Sequence, residues 1–145
     1  MGKKRIITKA DGSNDSKGSA DSTYKKSGKK QIVNGIMNVA SSYNNTLVNV
    51  CDSKGNVLIW SSAGTMGFKG ARKSTPYAAT LVAKDVAEKG KKIGLQEVTI
   101  IMRGIGPGRE AAIRGIASSG LNITSIVDNT PIPHNGVRPK KPRRV

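Results

Sequence analysis

The residues best equipped for chemistry in this sequence lie between Thr99 and Gly115, where a short apolar run meets Arg103-Gly-Ile-Gly-Pro-Gly-Arg109-Glu110. Thr99 to Met102 reads as a buried strand. Gly104, Gly106 and Gly108 read as a tight turn that lets another molecule approach the main chain, leading into a helix that begins near Arg109 or Glu110. The first N–H groups of such a helix lack intrahelical partners and carry a partial positive charge. With Arg109 among them and Arg103 beside them, the turn fits a phosphate. Neither common nucleotide motif is present: the dinucleotide fingerprint needs glycine where Arg109 stands, and the P-loop needs a Gly-Lys-Ser/Thr ending. A strand-to-helix connection with no ligand is the competing reading. A second stretch repeats the design, since Gly67-Phe68-Lys69-Gly70-Ala71-Arg72-Lys73 leads into another helix start.

Other chemistries find less support. A metal-dependent nuclease needs several carboxylates converging on a divalent ion. The acids between residues 31 and 130 are Asp52, Asp85, Glu88, Glu97, Glu110 and Asp128, and their spacing gives no cluster. Cys51 is the one cysteine, so no internal disulfide forms, a zinc site is not expected, and the thiol reads as a small core residue. His134 is the one histidine and has no second ligand or nucleophile nearby; it reads as a turn residue or a polar RNA contact. No metal and no cofactor is expected.

Charge narrows the class further. The 145 residues carry a net +16, unevenly placed. Residues 1–30 hold nine Lys/Arg against three Asp, and residues 131–145 hold five basic residues and no acid. Basic ends on a mildly basic domain are the electrostatic footprint of a nucleic-acid binder. A membrane-surface protein would want an amphipathic helix with aromatic or leucine anchors, and aromatics make up 3% of the chain. No membrane span or signal peptide is read, so the expected setting is the cytoplasm.

The elements that must position these residues follow from the pattern. Residues 1–30 are Lys, Ser, Gly and Asp rich and read as a disordered basic extension, in which Lys29 and Lys30 are candidates for phosphate contact. Residues 31–128 read as one α/β domain. Its first strands are Ile32–Ser41, Thr46–Asp52 and Asn56–Ser61, with a hairpin loop over Asp52–Asn56. In the first connection Asn44 and Asn45 either satisfy the turn or reach RNA hydroxyls and base edges. Ser74 or Thr75 caps a helix with Pro76 in its first turn, an apolar face of Ala78, Leu81, Val82 and Val86, and Gly90 as its stop. Phe68 reads as closing the edge of the core in preference to standing in the loop as an apolar contact. The second helix runs from Arg109 to about Ser119, burying Ala112, Ile113, Ile116 and Ala117, and a last strand covers Asn122–Val127. The strand–helix–strand order implies parallel pairing, with the hairpin strands extending the same sheet antiparallel. The expected fold is therefore α/β, a mixed sheet of about five strands with two main helices. Residues 129–145 contain four prolines and read as an extended basic tail.

These motifs together resemble a known family. Asn44-Asn45-Thr46, Gly-Phe-Lys-Gly-Ala-Arg-Lys-Ser-Thr-Pro within residues 63–79, Gly106-Pro-Gly-Arg-Glu110 and the ending from Asp128 to Val145 are similar, in order and spacing, to the small-subunit ribosomal protein S-eleven family. The likeness covers about residues 31–145, and its ending looks like the bacterial or organellar branch. Ile105, Val137 and Pro142 depart from the bacterial pattern. The resemblance implies a ribonuclease H-like fold without activity, on the platform of the small subunit near the mRNA exit side. It implies binding to the central domain and 3′ end of small-subunit rRNA, beside ribosomal proteins S-six, S-seven, S-eighteen and S-twenty-one, in a ribosome of the bacterial cytoplasm rather than an organelle. The residues expected at the RNA are Lys29, Lys30, Asn44, Asn45, Lys69, Arg72, Lys73, Arg103, Gly106, Gly108, Arg109, His134, Asn135, Arg138, Lys140, Lys141, Arg143 and Arg144. Two other function classes remain at this point, a nuclease and a general nucleic-acid compacting protein. Metal-dependent cleavage would mark the first, and duplex DNA bound as tightly as structured RNA would mark the second.

Overall fold

The structure is a computed structural model and describes residues 32–141. Its elements run β1 (Asn34–Ser41), β2 (Thr46–Cys51), β3 (Val57–Ser62), α1 (Pro76–Ile93), β4 (Glu97–Arg103), α2 (Gly108–Ser118) and β5 (Asn122–Asp128), with a short 3-10 turn over Gly70–Ser74. The strands form one sheet in the order β3-β2-β1-β4-β5. β2 is antiparallel to both neighbours, while β1, β4 and β5 pair in parallel, which is the mixed α/β sheet expected. The bounds of the strands fall within two residues of those expected. The hairpin closes at Asp52–Asn56, where the Asp52 N–H donates to Asn56 O and Gly55 takes φ 85°.

The crossovers β3–α1–β4 and β4–α2–β5 step the same way across the sheet. A common right-handed sense then places both helices on one face. Met37, Val39, Val48, Val50, Val98 and Ile100 project into that layer and meet Ala78, Val82, Val86, Ala112 and Ile116. Phe68 packs at the edge of this core, as expected. Among the described residues no helix covers the opposite face of the sheet. Trp60, Asn49, Asn38, Ile101 and Val127 align there as one cross-strand row without a charge. Cys51 is buried on that face, with Asn38 Nδ2 donating to its Sγ at 3.3 Å.

Thr75 is the cap of α1: its hydroxyl oxygen accepts the Ala78 N–H at 3.3 Å, and Pro76 opens the helix. Gly90 does not stop α1, contrary to expectation. The helix continues to Ile93 and ends at Gly94, φ 101°. The Leu95 N–H then turns back onto Gly90 O at 3.2 Å. A Cβ on Gly90 would lie 3.0 Å from Leu95 Cδ2, so this glycine is a seat for Leu95 rather than a terminator. Ala117, expected on the buried side of α2, is exposed. The buried stripe is Gly108, Ala112, Gly115 and Ile116, and one further residue turns by about 100° away from it.

Gly115 sets the distance between the helices. A Cβ there would lie 2.9 Å from Thr80 O and 3.0 Å from Ala83 Cβ, both on α1. The same seam carries a hydrogen bond from the Thr80 hydroxyl to Ala111 O at 3.3 Å. Gly115→Ala therefore gains up to about 1 kcal/mol of helix propensity and loses roughly 1–3 kcal/mol to overpacking. The expected result is a net loss near 1 kcal/mol, read as a lower urea midpoint at unchanged m-value.

Candidate nucleic-acid interface

Because β1, β3, β4 and β5 point the same way, their ends share one edge of the sheet. The β1–β2 turn, the loop before α1, the turn before α2 and the start of the C-terminal tail all leave from it, and both helices begin there. Backbone bonds hold this edge together. The Gly106 N–H donates to Ser41 O at 3.0 Å, and the Asn129 N–H to Met102 O at 2.8 Å. The Gly104 N–H donates to the Thr130 hydroxyl oxygen at 3.2 Å. The fold thus brings Asn44, Asn45, Lys69, Arg72, Lys73, Arg103, Gly106, Gly108 and Arg109 to a single edge. His134, Asn135, Arg138, Lys140 and Lys141 follow on the exposed tail that departs from it. Lys29, Lys30, Arg143 and Arg144 lie outside the described residues, as does the expected disordered extension.

The glycines of the central turn face inward. Gly104 sits at φ 104°, and a Cβ on it would run into Ser41 O; one on Gly106 would run into Ser41 Oγ and Ser42 O. A Cβ on Gly108 would lie 2.9 Å from Ala79 Cβ. The close approach expected for a ligand is thus taken by the protein's own β1–β2 turn, and Gly106 and Gly108 are buried. The residues between them point out: Ile105 and Pro107 are exposed and Arg109 is half-buried. Pro107 holds the N-cap position of α2 and supplies no side-chain cap, so the first-turn N–H groups depend on other acceptors.

Arg109 carries a partner that its local sequence does not announce. Its guanidinium pairs with the carboxylate of Asp128, at the end of β5. The same carboxylate accepts from the Thr130 hydroxyl at 2.6 Å and the Thr130 N–H at 3.1 Å. The Thr130 hydroxyl, opposed by partial desolvation and joined by the Thr130 N–H and Arg109, holds the Asp128 carboxyl below its ordinary value. Arg109 is therefore oriented and partly neutralised before any ligand arrives. Lys69, Arg72, Lys73 and Arg103 have no ion-pair partner among the described residues.

In the β1–β2 turn it is Ser42, not an asparagine, that satisfies the backbone. Its hydroxyl oxygen accepts the N–H of Asn44 at 3.3 Å and of Asn45 at 3.1 Å. The Asn44 side chain is left exposed, while Asn45 Oδ1 is buried without a hydrogen-bond partner among the described residues. A serine three residues before the second asparagine was the available signal for this turn. Asp128 and Thr130 had no such signal, since only the β4–β5 pairing brings them to Arg109.

Among the described residues no three His, Cys, Asp or Glu side chains gather where they would hold a metal, and no helix is long and apolar enough to cross a membrane.

Comparison with known proteins adds an independent line. Residues 35–144 match the family described as Ribosomal protein S11. The chain is 54% identical over 117 residues to the small ribosomal subunit protein uS11 of two strains of Thermus thermophilus. It is equally similar to the protein of that name from Rhodopseudomonas palustris. Each match covers 81% of this chain and 91% of the relative.

The lowered Asp128 carboxyl has a pH signature. The charged carboxylate is favoured by the fold, so its contribution is complete above the ordinary value of 3.8 and is lost as pH falls through the lower folded value. The difference in melting temperature between the native protein and Asp128→Asn should be constant from about pH 5 to 7 and shrink as pH falls below the ordinary value of 3.8. Thermal melts across that range, followed by circular dichroism, measure it.

Proposed function

The chain belongs to the ribosomal protein S11 family, and from that premise we propose that its loop edge and C-terminal tail bind 16S-type rRNA on the platform of the small subunit, near the mRNA exit side. A member of this family is a structural constituent of the small ribosomal subunit and acts by binding rather than by catalysis. The observation that carries the RNA surface is the gathering of Lys69, Arg72, Lys73 and Arg103, unpaired among the described residues, beside two helix starts on one sheet edge.

The chemistry divides by residue type. Cations and open N–H groups meet phosphates, which fix position and register without reading sequence. Asn44, His134 and Asn135 offer donors and acceptors suited to 2′-hydroxyls and unpaired base edges. Gly106 and Gly108 act indirectly, by holding the turn so that Ile105, Pro107 and Arg109 face the RNA. The tail, with prolines at 131, 133 and 139, lies along a groove in extended form. The rRNA contacts fall in the central domain and near the 3′ end, and the protein neighbours are S-six, S-seven, S-eighteen and S-twenty-one. The setting is the ribosome of a bacterial cytoplasm, where binding supports subunit assembly and translation. The bacterial source of the similar proteins and the form of the C-terminal motif support this origin.

Crosslinking to total cellular RNA at physiological salt tests the reading. Peptides around Arg72, Arg109 and Arg138 are expected to carry small-subunit rRNA; a diffuse pattern over messenger RNA would sink the ribosomal assignment. Two variants test the phosphate contacts. Arg72→Ala and deletion of residues 138–145 should each weaken rRNA binding and flatten its salt dependence. The log–log slope falls by roughly 0.7–0.9 for each phosphate contact removed. A truncated protein with the full slope would show that the tail touches no phosphate.

A further inference from the structure

Next to the basic loop lies an aromatic side chain that the phosphate reading does not use. Tyr77 is the second residue of α1, and 68% of it is exposed. Phe68 meets it edge to face, with ring centroids 6.3 Å apart and planes at 84°. Phe68 is itself packed on the core, so it fixes one side of the tyrosine ring and leaves the rest to solvent. No hydrogen bond to the Tyr77 hydroxyl is found among the described residues. The ring therefore contributes little to the fold beyond that one contact.

The chain leading to it is basic and free of acid. Lys69, Arg72 and Lys73 stand in the 3-10 turn and loop that immediately precede α1, and the sequence contains no Asp or Glu between Asp52 and Asp85. An anchored, open aromatic face beside unpaired cations is the arrangement that holds an unstacked nucleotide, with the base on the ring and its phosphates on the cations. A duplex offers no free base face, so such a platform selects looped or single-stranded RNA.

We infer that Tyr77, braced by Phe68, is a stacking platform for an unpaired nucleobase whose flanking phosphates are met by Arg72 and Lys73. This rests on the rRNA reading above and gives that edge a base-recognising element besides its phosphate contacts. Stacking depends on the ring and not on its hydroxyl, and it involves no phosphate.

The test compares the full-length native protein with Tyr77→Phe and Tyr77→Leu, using transcribed small-subunit rRNA and a perfect RNA duplex as probes. Tyr77→Leu should bind the rRNA roughly 5- to 100-fold more weakly at an unchanged salt slope, while Tyr77→Phe stays within about twofold. Binding to the duplex should not distinguish the three proteins. Circular dichroism checks that each variant folds. If Tyr77→Leu does not fold, Tyr77→Trp replaces it, with added indole fluorescence that rRNA should quench; unquenched fluorescence on saturation overturns the platform.

Native affinity in a folded Tyr77→Leu, or equal losses in the Phe and Leu variants, also overturns the platform and leaves the rRNA reading intact. Intact rRNA affinity with failed incorporation into reconstituted subunits assigns the ring to a protein contact instead, and likewise overturns it. If the native protein shows no preference for the rRNA, the underlying reading falls and the platform with it.

Discussion

The placement of the candidate site depends on how closely the turn after β4 approaches the end of β1. Parallel pairing delivers β4 beside β1, and the chain must then cross the β1 terminus before α2 can begin. Only backbone-sized space is left there. Three alternate positions, 104, 106 and 108, press against Ser41, Ser42, Thr46 and Ala79 and have no room for a side chain. The alternation has an outward half as well, because residues 105, 107 and 109 are turned toward solvent or half-exposed. One steric constraint therefore both closes the core at that edge and selects which residues a ligand meets.

Electrostatics builds on that geometry. Along the helices the chain pairs its charges locally, as Asp85 with Lys89 and Glu110 with Arg114, one turn apart. Such exposed pairs add little stability and leave almost no field. At the loop edge one acid, Asp128, is committed to Arg109 and Thr130, and the other cations keep their charge. Screening at physiological salt reaches about 8 Å, so cations gathered on one edge act on a polyanion as a group. The tail extends the same positive field past the edge of the sheet.

Much of the fold was legible because it is written in local patterns. The period-two strands, the Thr75-Pro76 helix start and the strand–helix–strand order each carry their own signal. What local pattern leaves out is what a residue meets across space. Gly90 has the composition of a helix stop, but Leu95 folding back onto it explains the glycine, and the real terminus is Gly94. The glycines of the central turn suggest an opening for a ligand, yet the space is filled by β1 and the turn after it. Arg109 reads as a free cation until β5 brings Asp128 beside it. The candidate site was legible as a list of residue types, while their division into packed, paired and exposed members required the three-dimensional contacts.

The face of the sheet opposite the helices bears on how separate copies behave in solution. With both helices on one side, the uncharged row from Trp60 to Val127 is exposed at its two ends and partly exposed between them, and among the described residues β3 and β5 are both edge strands. Uncovered faces and open edges are the surfaces through which sheets stick to one another. A net charge of +16 on 145 residues opposes that encounter by long-range repulsion. The lysines and arginines that suit this protein to a polyanion are thus also its colloidal protection while it is free. A polyanion that neutralises them removes the repulsion, so copies bound close together on the wrong RNA would meet through that face or those edges.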